Sequence, residues 1–149
     1  MASKEELDEA YLDMATRWAQ LSKAQRKKVG CLIVKDGAII SDGFNGTPQG
    51  FENSCEHEDS VLAHNYLTTK PEVLHAESNA ITKLAKSTQS SDGATMYITI
   101  SPCVECAKLI IQAGIKRVVY KEFYRDNTGI NLLKQGNVNI CQLTTTSNA

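Results

Sequence analysis

Val29-Gly-Cys-Leu-Ile-Val-Lys-Asp-Gly-Ala-Ile-Ile-Ser-Asp-Gly-Phe44 is the stretch that decides the fold. Val29 to Lys35 and Ala38 to Phe44 are apolar and partly β-branched, and Asp36-Gly37 between them is a pair favoured in two-residue hairpin turns. They are expected to be antiparallel neighbours. Upstream, Leu7, Ala10, Tyr11, Met14, Trp18 and Leu21 recur at the three-and-four spacing of one helical face, with acidic residues early and Lys23, Arg26, Lys27 and Lys28 late.

Downstream, the chain turns polar from Asn45 to about Leu74, with a short helix expected around Ser60 to Leu67. A loop of this length is more often functional than idle. Then His75 to Lys86 reads as a helix, Thr95 to Thr99 as a strand, Cys103 to Ala113 as a helix stopped by Gly114, and Lys116 to Tyr120 as a strand. Ile130 to Lys134 reads as one more short helix and Val138 to Leu143 as an edge strand. A hairpin followed by crossover units implies an α/β fold: a three-layer α/β/α sandwich with a mixed sheet covered on both faces.

The 149 residues, 42% of them hydrophobic, fit a single domain, residues 1–149, whose core needs no disulfide staples. The charged N-terminus and the lack of a long apolar run read as a soluble cytoplasmic protein with no membrane partner. Five cysteines cannot all pair within the chain, so they are better metal ligands or small buried residues than disulfides. A net charge of −1 lacks the basic excess of a chain that grips nucleic acid, and favours a small substrate.

The chemistry sits in His75-Ala76-Glu77 and Pro102-Cys103-Val104-Glu105-Cys106. Cysteines three apart on a first helical turn project their sulfurs to one side, where both can bind one ion. His75 and Glu77, two apart, would diverge inside a helix and converge only at its N-terminal end. Two helix N-termini would then turn their positive ends toward the site and favour thiolates. One imidazole and two thiolates leave the fourth tetrahedral position of Zn²⁺ open, as in a catalytic site. Alone, the cysteine pair fits a structural zinc knuckle or a redox pair equally, and a lone histidine fits a cap or the core. The joint spacing selects a catalytic zinc site.

This pair of motifs is the signature of zinc base deaminases. With Val29-Gly-Cys-Leu-Ile-Val34, Gly43-Phe-Asn-Gly-Thr-Pro48 and His75-Ala-Glu-Ser-Asn-Ala-Ile81, the chain resembles the cytidine and deoxycytidylate deaminase superfamily over nearly its whole length. Gly43 to Pro48 and the long insert before His75 are most similar to its deoxycytidylate branch. The resemblance implies a five-stranded cytidine deaminase-like sheet. It also implies hydrolysis of dCMP to dUMP and ammonia, with Glu77 as proton shuttle to N3 and to the departing amino group.

From the same resemblance, Asn45 would hold the sugar and base edge, the backbone at Ala76 and Ser101 would face the base, and Arg26, with Lys27 and Lys28 beside it, would meet the phosphate. Tyr124, ahead of Tyr120, is the aromatic candidate, and Arg125 a second phosphate candidate. Each has a plainer reading: turn chemistry for Asn45, a solvated basic helix end for Arg26, strand-end packing for the tyrosines. Some relatives carry a second zinc; here Cys55, His57 and His64 are the nearest ligands, with Ala24 where a relative supplies cysteine, and Cys31 reads as buried packing. The likeness further implies a homohexamer activated by dCTP and inhibited by dTTP, with Mg²⁺ and an effector region at Gly43, Phe44, Asn45 and Gly46. The competing readings are a relative acting on a nucleoside, guanine or adenosine in tRNA, or a non-catalytic zinc and nucleotide-binding module, which the presence of Glu77 disfavours.

Overall fold

The computed structural model describes residues 1–59 and 66–144. Its elements are α1 (Lys4–Ala19), β1 (Gly30–Lys35), β2 (Ala38–Phe44), β3 (Glu56–Asp59), β4 (Tyr66–Thr69), α2 (Ala76–Leu84), β5 (Thr95–Ile100), α3 (Val104–Gln112), β6 (Arg117–Glu122), α4 (Thr128–Gln135) and β7 (Asn139–Gln142). One sheet has five strands in the order β2-β1-β5-β6-β7. β1 pairs antiparallel with both β2 and β5, whereas β5, β6 and β7 are parallel. Leu12 and Ala15 of α1 cover one face, and residues of α2, α3 and α4 such as Ala80, Ile110 and Leu133 cover the other. The mixed five-stranded α/β/α sandwich expected from the sequence is the fold observed.

The hairpin forms as its residues dictate. Asp36 and Gly37 both have positive φ, 50° and 75°, the geometry whose twist matches the flanking strands. At the other end of the hairpin, two glycines let the helical layers close down. A Cβ on Gly30 would collide with the Ala15 carbonyl of α1, and one on Gly43 would collide with the Ala76 carbonyl of α2. Gly43 lies opposite Cys31 on the neighbouring strand, whose side chain is buried on the α2 side. α2 also secures the edge strand β2: Asn79 Nδ2 donates to the Phe44 carbonyl at 3.0 Å, and Ser41 Oγ donates to the Ala80 carbonyl at 2.7 Å.

Two expectations need correction. The buried face of α1 is Asp8, Leu12, Ala15 and Ala19, while Leu7, Met14 and Leu21 are 43%, 44% and 41% exposed. The close approach at Gly30 selects small alanines, and Asp8 is buried because it is paired. Its carboxylate accepts from Arg117 Nη1 and Nη2 at 2.9 and 2.6 Å and from the Tyr97 hydroxyl at 2.6 Å. The insert is also not simply a loop with a helix: β3 and β4 pair as a separate antiparallel hairpin, with Glu56 opposite Thr69. Of the helix expected at Ser60 to Leu67, residues 60–65 lie outside the described residues, and Tyr66 and Leu67 belong to β4.

The Arg117 guanidinium holds the Asp8 carboxyl below its ordinary 3.8, with Tyr97 adding to the effect against the opposing cost of burial. A carboxyl lowered on folding contributes stability that is complete above its unfolded value and is lost as pH falls through its folded value. Asp8→Asn is expected to cost about 3 kcal/mol at neutral pH by leaving a largely buried guanidinium unpaired. Urea unfolding measures this, and the gap between wild type and variant should narrow below the ordinary aspartate value of 3.8.

Candidate active site

The parallel strands bring the site together. α2 begins against Gly43 near the end of β2, at the same end of the sheet as the carboxyl end of β5, and α3 begins just beyond that carboxyl end, in the region where α/β sheets ordinarily bind ligands. His75 is the residue before α2 and Cys103 the residue before α3, both with extended backbone: φ −71°, ψ 158° and φ −73°, ψ 171°. Neither side chain caps its own helix. Each instead faces the other: His75 Nδ1 is 3.2 Å from Cys106 Sγ and 3.6 Å from Cys103 Sγ.

These three donor atoms lie within 4.8 Å of one another, and among the described residues they form the one group of three or more such side chains able to hold a metal. In tetrahedral zinc with ordinary bond lengths, nitrogen-to-sulfur edges measure about 3.6 Å, so the donor set fits that ion with one position open. Cys106 holds the Cys103 thiol down to about 3 through a hydrogen bond, aided by His75. The reciprocal bond, together with burial, raises Cys106. His75 is raised first by its bond to Cys103.

Glu77, on the first turn of α2, is 4% exposed. Burial pushes its carboxyl up to about 7, against hydrogen bonds that favour the ionised form. A carboxyl poised there can take and return a proton near neutral pH, the property of a general acid and base.

Above this floor opens a cavity of about 610 Å³ whose lining includes His75, Ala76, Glu77, Ser101 and Cys103, with Arg26, Asn45, Tyr124 and Arg125 around it. Sequence-selected residues from five separate stretches therefore meet in one place. Ala76 turns its carbonyl toward Gly43, so the backbone group it has left for the cavity is its N–H. Ser101 Oγ accepts from the Tyr124 amide at 2.6 Å, fixing the loop after β6 at the rim. Arg125 lies over the Tyr124 ring, 5.3 Å from its centroid. Asn45 acts as a clamp: Oδ1 accepts from the Val29 amide at 2.9 Å and Nδ2 donates to the Lys27 carbonyl at 2.8 Å. Its φ is not positive, so left-handed turn geometry does not explain it.

Other candidates sit elsewhere. Tyr120 is packed in the core at 7% exposure, and Lys28, Gly43, Phe44 and Gly46 do not line the cavity. Lys27 lines it but pairs with Glu122 at 3.1 Å. Cys31 is buried in a strand, as expected. Cys55 lines the cavity without metal-binding company among the described residues, His57 is exposed, and His64 lies outside the described residues. Sequence reasoning missed Glu56 and Thr69, both of which line the cavity from the β3–β4 hairpin. Their partners lie 30 or more positions away in the chain, and no local pattern marks them.

The family described as "Cytidine and deoxycytidylate deaminase zinc-binding region" matches residues 5–122. The deoxycytidylate deaminase of Enterobacteria phage T4 is 36% identical over 151 residues, covering 78% of each chain. The deoxycytidylate deaminase of Homo sapiens is 42% identical over 130 residues, 82% of this chain and 68% of that one. Among solved structures, the dCMP deaminase of cyanophage S-TIM5 in complex with dCMP and dUMP superposes with a TM-score of 0.87 at 45% identity, covering 95% of this chain and 100% of that one. The sandwich and its donor cluster thus define a zinc-binding hydrolytic deaminase. More narrowly, the chain belongs to the cytidine and deoxycytidylate deaminase family.

Cys106→Ala should lower zinc affinity by more than about 100-fold, beyond the 10–100-fold typical of losing an outer hydrogen-bonding partner. Competition against a chromophoric chelator reads this directly. Cys55→Ala should leave zinc stoichiometry unchanged.

Proposed function

We propose that this chain hydrolyses dCMP to dUMP and ammonia. The observation that carries the reading is the buried Glu77 beside the His75, Cys103 and Cys106 donors, at the floor of a cavity bordered by Arg26 and Arg125. Zinc, when bound by those three residues, supplies the acidity that makes water a nucleophile at neutral pH. Glu77 takes up the two protons of the attacking water in turn and delivers one to N3 and one to the leaving amino group of a cytosine seated above it. One water enters and one ammonia leaves, so Glu77 ends in the state in which it began. The Ala76 N–H and the Ser101 region orient the base, Tyr124 borders it, and Asn45 holds the Lys27–Val29 backbone from which the sugar side of the cavity is built.

The monophosphate rests on the two guanidiniums, each able to hold two phosphate oxygens, and neither of which has a carboxylate partner among the described residues. The relatives named deoxycytidylate deaminase support the same substrate. A nucleoside or guanine would leave this pair without a comparable role, and a net charge of −1 disfavours a tRNA substrate.

Finer parts of the reading rest on the family likeness. The product dUMP would serve thymidylate synthesis in the cytoplasm, a reducing compartment that suits five free cysteines. No helix among the described residues is long and apolar enough to cross a membrane. The Gly43–Pro48 match supports a homohexamer activated by dCTP and inhibited by dTTP with Mg²⁺, although Gly43 itself is occupied by the approach of α2.

Ammonia release measured side by side on dCMP, CMP, deoxycytidine, dCTP and deoxyguanosine should be fastest on dCMP; preference for any other compound overturns the assignment. Glu77→Gln should lower kcat by about 10²–10⁴-fold, the range for losing a proton-transfer group, with zinc content retained. Sigmoidal dCMP dependence that becomes hyperbolic with dCTP is the expected regulatory signature, and indifference to both triphosphates removes that part of the reading.

A further inference from the structure

Glu56 is an acidic side chain only 7% exposed in a cavity assigned to an anionic substrate. An unsatisfied carboxylate there would repel phosphate and be costly to bury. Its bonds resolve the conflict. Oε1 accepts from the Gln25 amide at 3.1 Å, and Oε2 accepts from the Gln25 and Arg26 amides at 2.9 and 3.1 Å. The carboxylate is therefore turned onto the backbone of the segment that carries Arg26. Directly opposite Glu56 on the paired strand is Thr69, whose Oγ1 accepts from Arg26 Nη1 at 3.1 Å. One register pair of the β3–β4 hairpin thus grips Arg26 twice, by its backbone and by its guanidinium.

The bracket extends around the segment. The Asn45 side chain holds the Lys27 carbonyl and the Val29 amide. Ser22 Oγ accepts from the Ala24 amide at 3.1 Å and donates to the Asn45 carbonyl at 2.8 Å. Gln25, Arg26 and Lys27 are exposed and belong to no helix or strand, so these side-chain bonds, with the Lys27–Glu122 pair, are what hold them among the described residues.

We propose that Glu56 and Thr69 are positioning residues that set selectivity for the 5′-monophosphate by holding Arg26 at the cavity rim. The inference rests on the dCMP reading and deepens it: the β3–β4 insert is the part of the chain that makes the phosphate matter. Neither residue touches the reacting atoms, so their loss should leave the chemistry at His75, Glu77, Cys103 and Cys106 intact. A guanidinium released from its bracket loses the preorganisation that makes a fixed fork bind phosphate well.

The test compares wild type, Glu56→Gln and Thr69→Val, all zinc-loaded, on dCMP and on deoxycytidine. Glu56→Gln keeps the side-chain size but replaces one acceptor oxygen with a donor facing a backbone N–H. Thr69→Val keeps the β-branched shape at an exposed strand position, so at least this variant is expected to fold. The expected result is a KM for dCMP raised about tenfold in Glu56→Gln and less in Thr69→Val, as loss of charge-assisted or ordinary hydrogen bonds would give. The kcat on dCMP and the kcat/KM on deoxycytidine should each stay within about twofold, since neither depends on a bond to the phosphate. If wild type prefers dCMP but both variants lose activity equally on the two substrates, or lose kcat alone, this proposal fails while the dCMP reading stands. A wild type that prefers deoxycytidine overturns the dCMP reading and this proposal together.

Discussion

Everything at the site depends on two helices starting at the same place. His75 and Cys103 precede α2 and α3 in extended conformations, and the side chains that would ordinarily cap those helices turn to each other instead. That geometry leaves helix amides and the positive ends of two helix dipoles directed at a cluster of one imidazole and two sulfurs. The same polarity favours thiolates and would stabilise the negative charge gathered around a catalytic metal. A protein lacking this convergence could carry the same residues and have no site.

The convergence is a product of the sheet. β5 and β6 are parallel, so the loops after them open at one end of the sheet, and α2, packed on β2 and β1, starts at that end too, against Gly43. Its height above the sheet is set by Gly43, where any side chain would strike the Ala76 backbone. Pro102 and Gly129 make a comparable close contact, with α4 resting on the turn that leads into α3. Small residues at these points determine where the donors lie, although none of them takes part in the chemistry. The far end of the sheet is held differently, by the buried Asp8, Arg117 and Tyr97 network that ties α1 to β5 and β6.

Floor and rim have separate structural origins, and this explains why reaction and substrate are encoded so differently. The floor comes from two short motifs on helix starts, where spacing sets the local geometry of each and the sheet brings the two together. The rim is assembled from the segment before β1, the β3–β4 hairpin and the loop after β6, held by bonds such as Glu56 to Gln25 and Ser101 to Tyr124. Local periodicity reported the hairpin and the alternating later elements well because each forms from neighbouring residues. It misassigned the face of α1, since Asp8 counts as polar until Arg117, 109 positions away, is known to meet it. Similarly, the polar insert gave no strand pattern, because its pairing and its partners at Gln25 and Arg26 are tertiary.

The sequence alone pointed to the three-layer fold and to His75, Glu77, Cys103 and Cys106 as candidates, because helix period, turn chemistry and ligand spacing are short-range properties, and the two motifs carried the likeness to zinc deaminases. Only the tertiary structure decided which candidates share one cavity: Arg26, Asn45, Ser101, Tyr124 and Arg125 border it, while Tyr120 goes to the core and Gly43 lies beneath α2. It alone showed Glu56 as the carboxylate holding Arg26. Contacts between segments depend on how far apart the packed layers stand and which strand lies beside which, and neither is written in any single stretch of the chain.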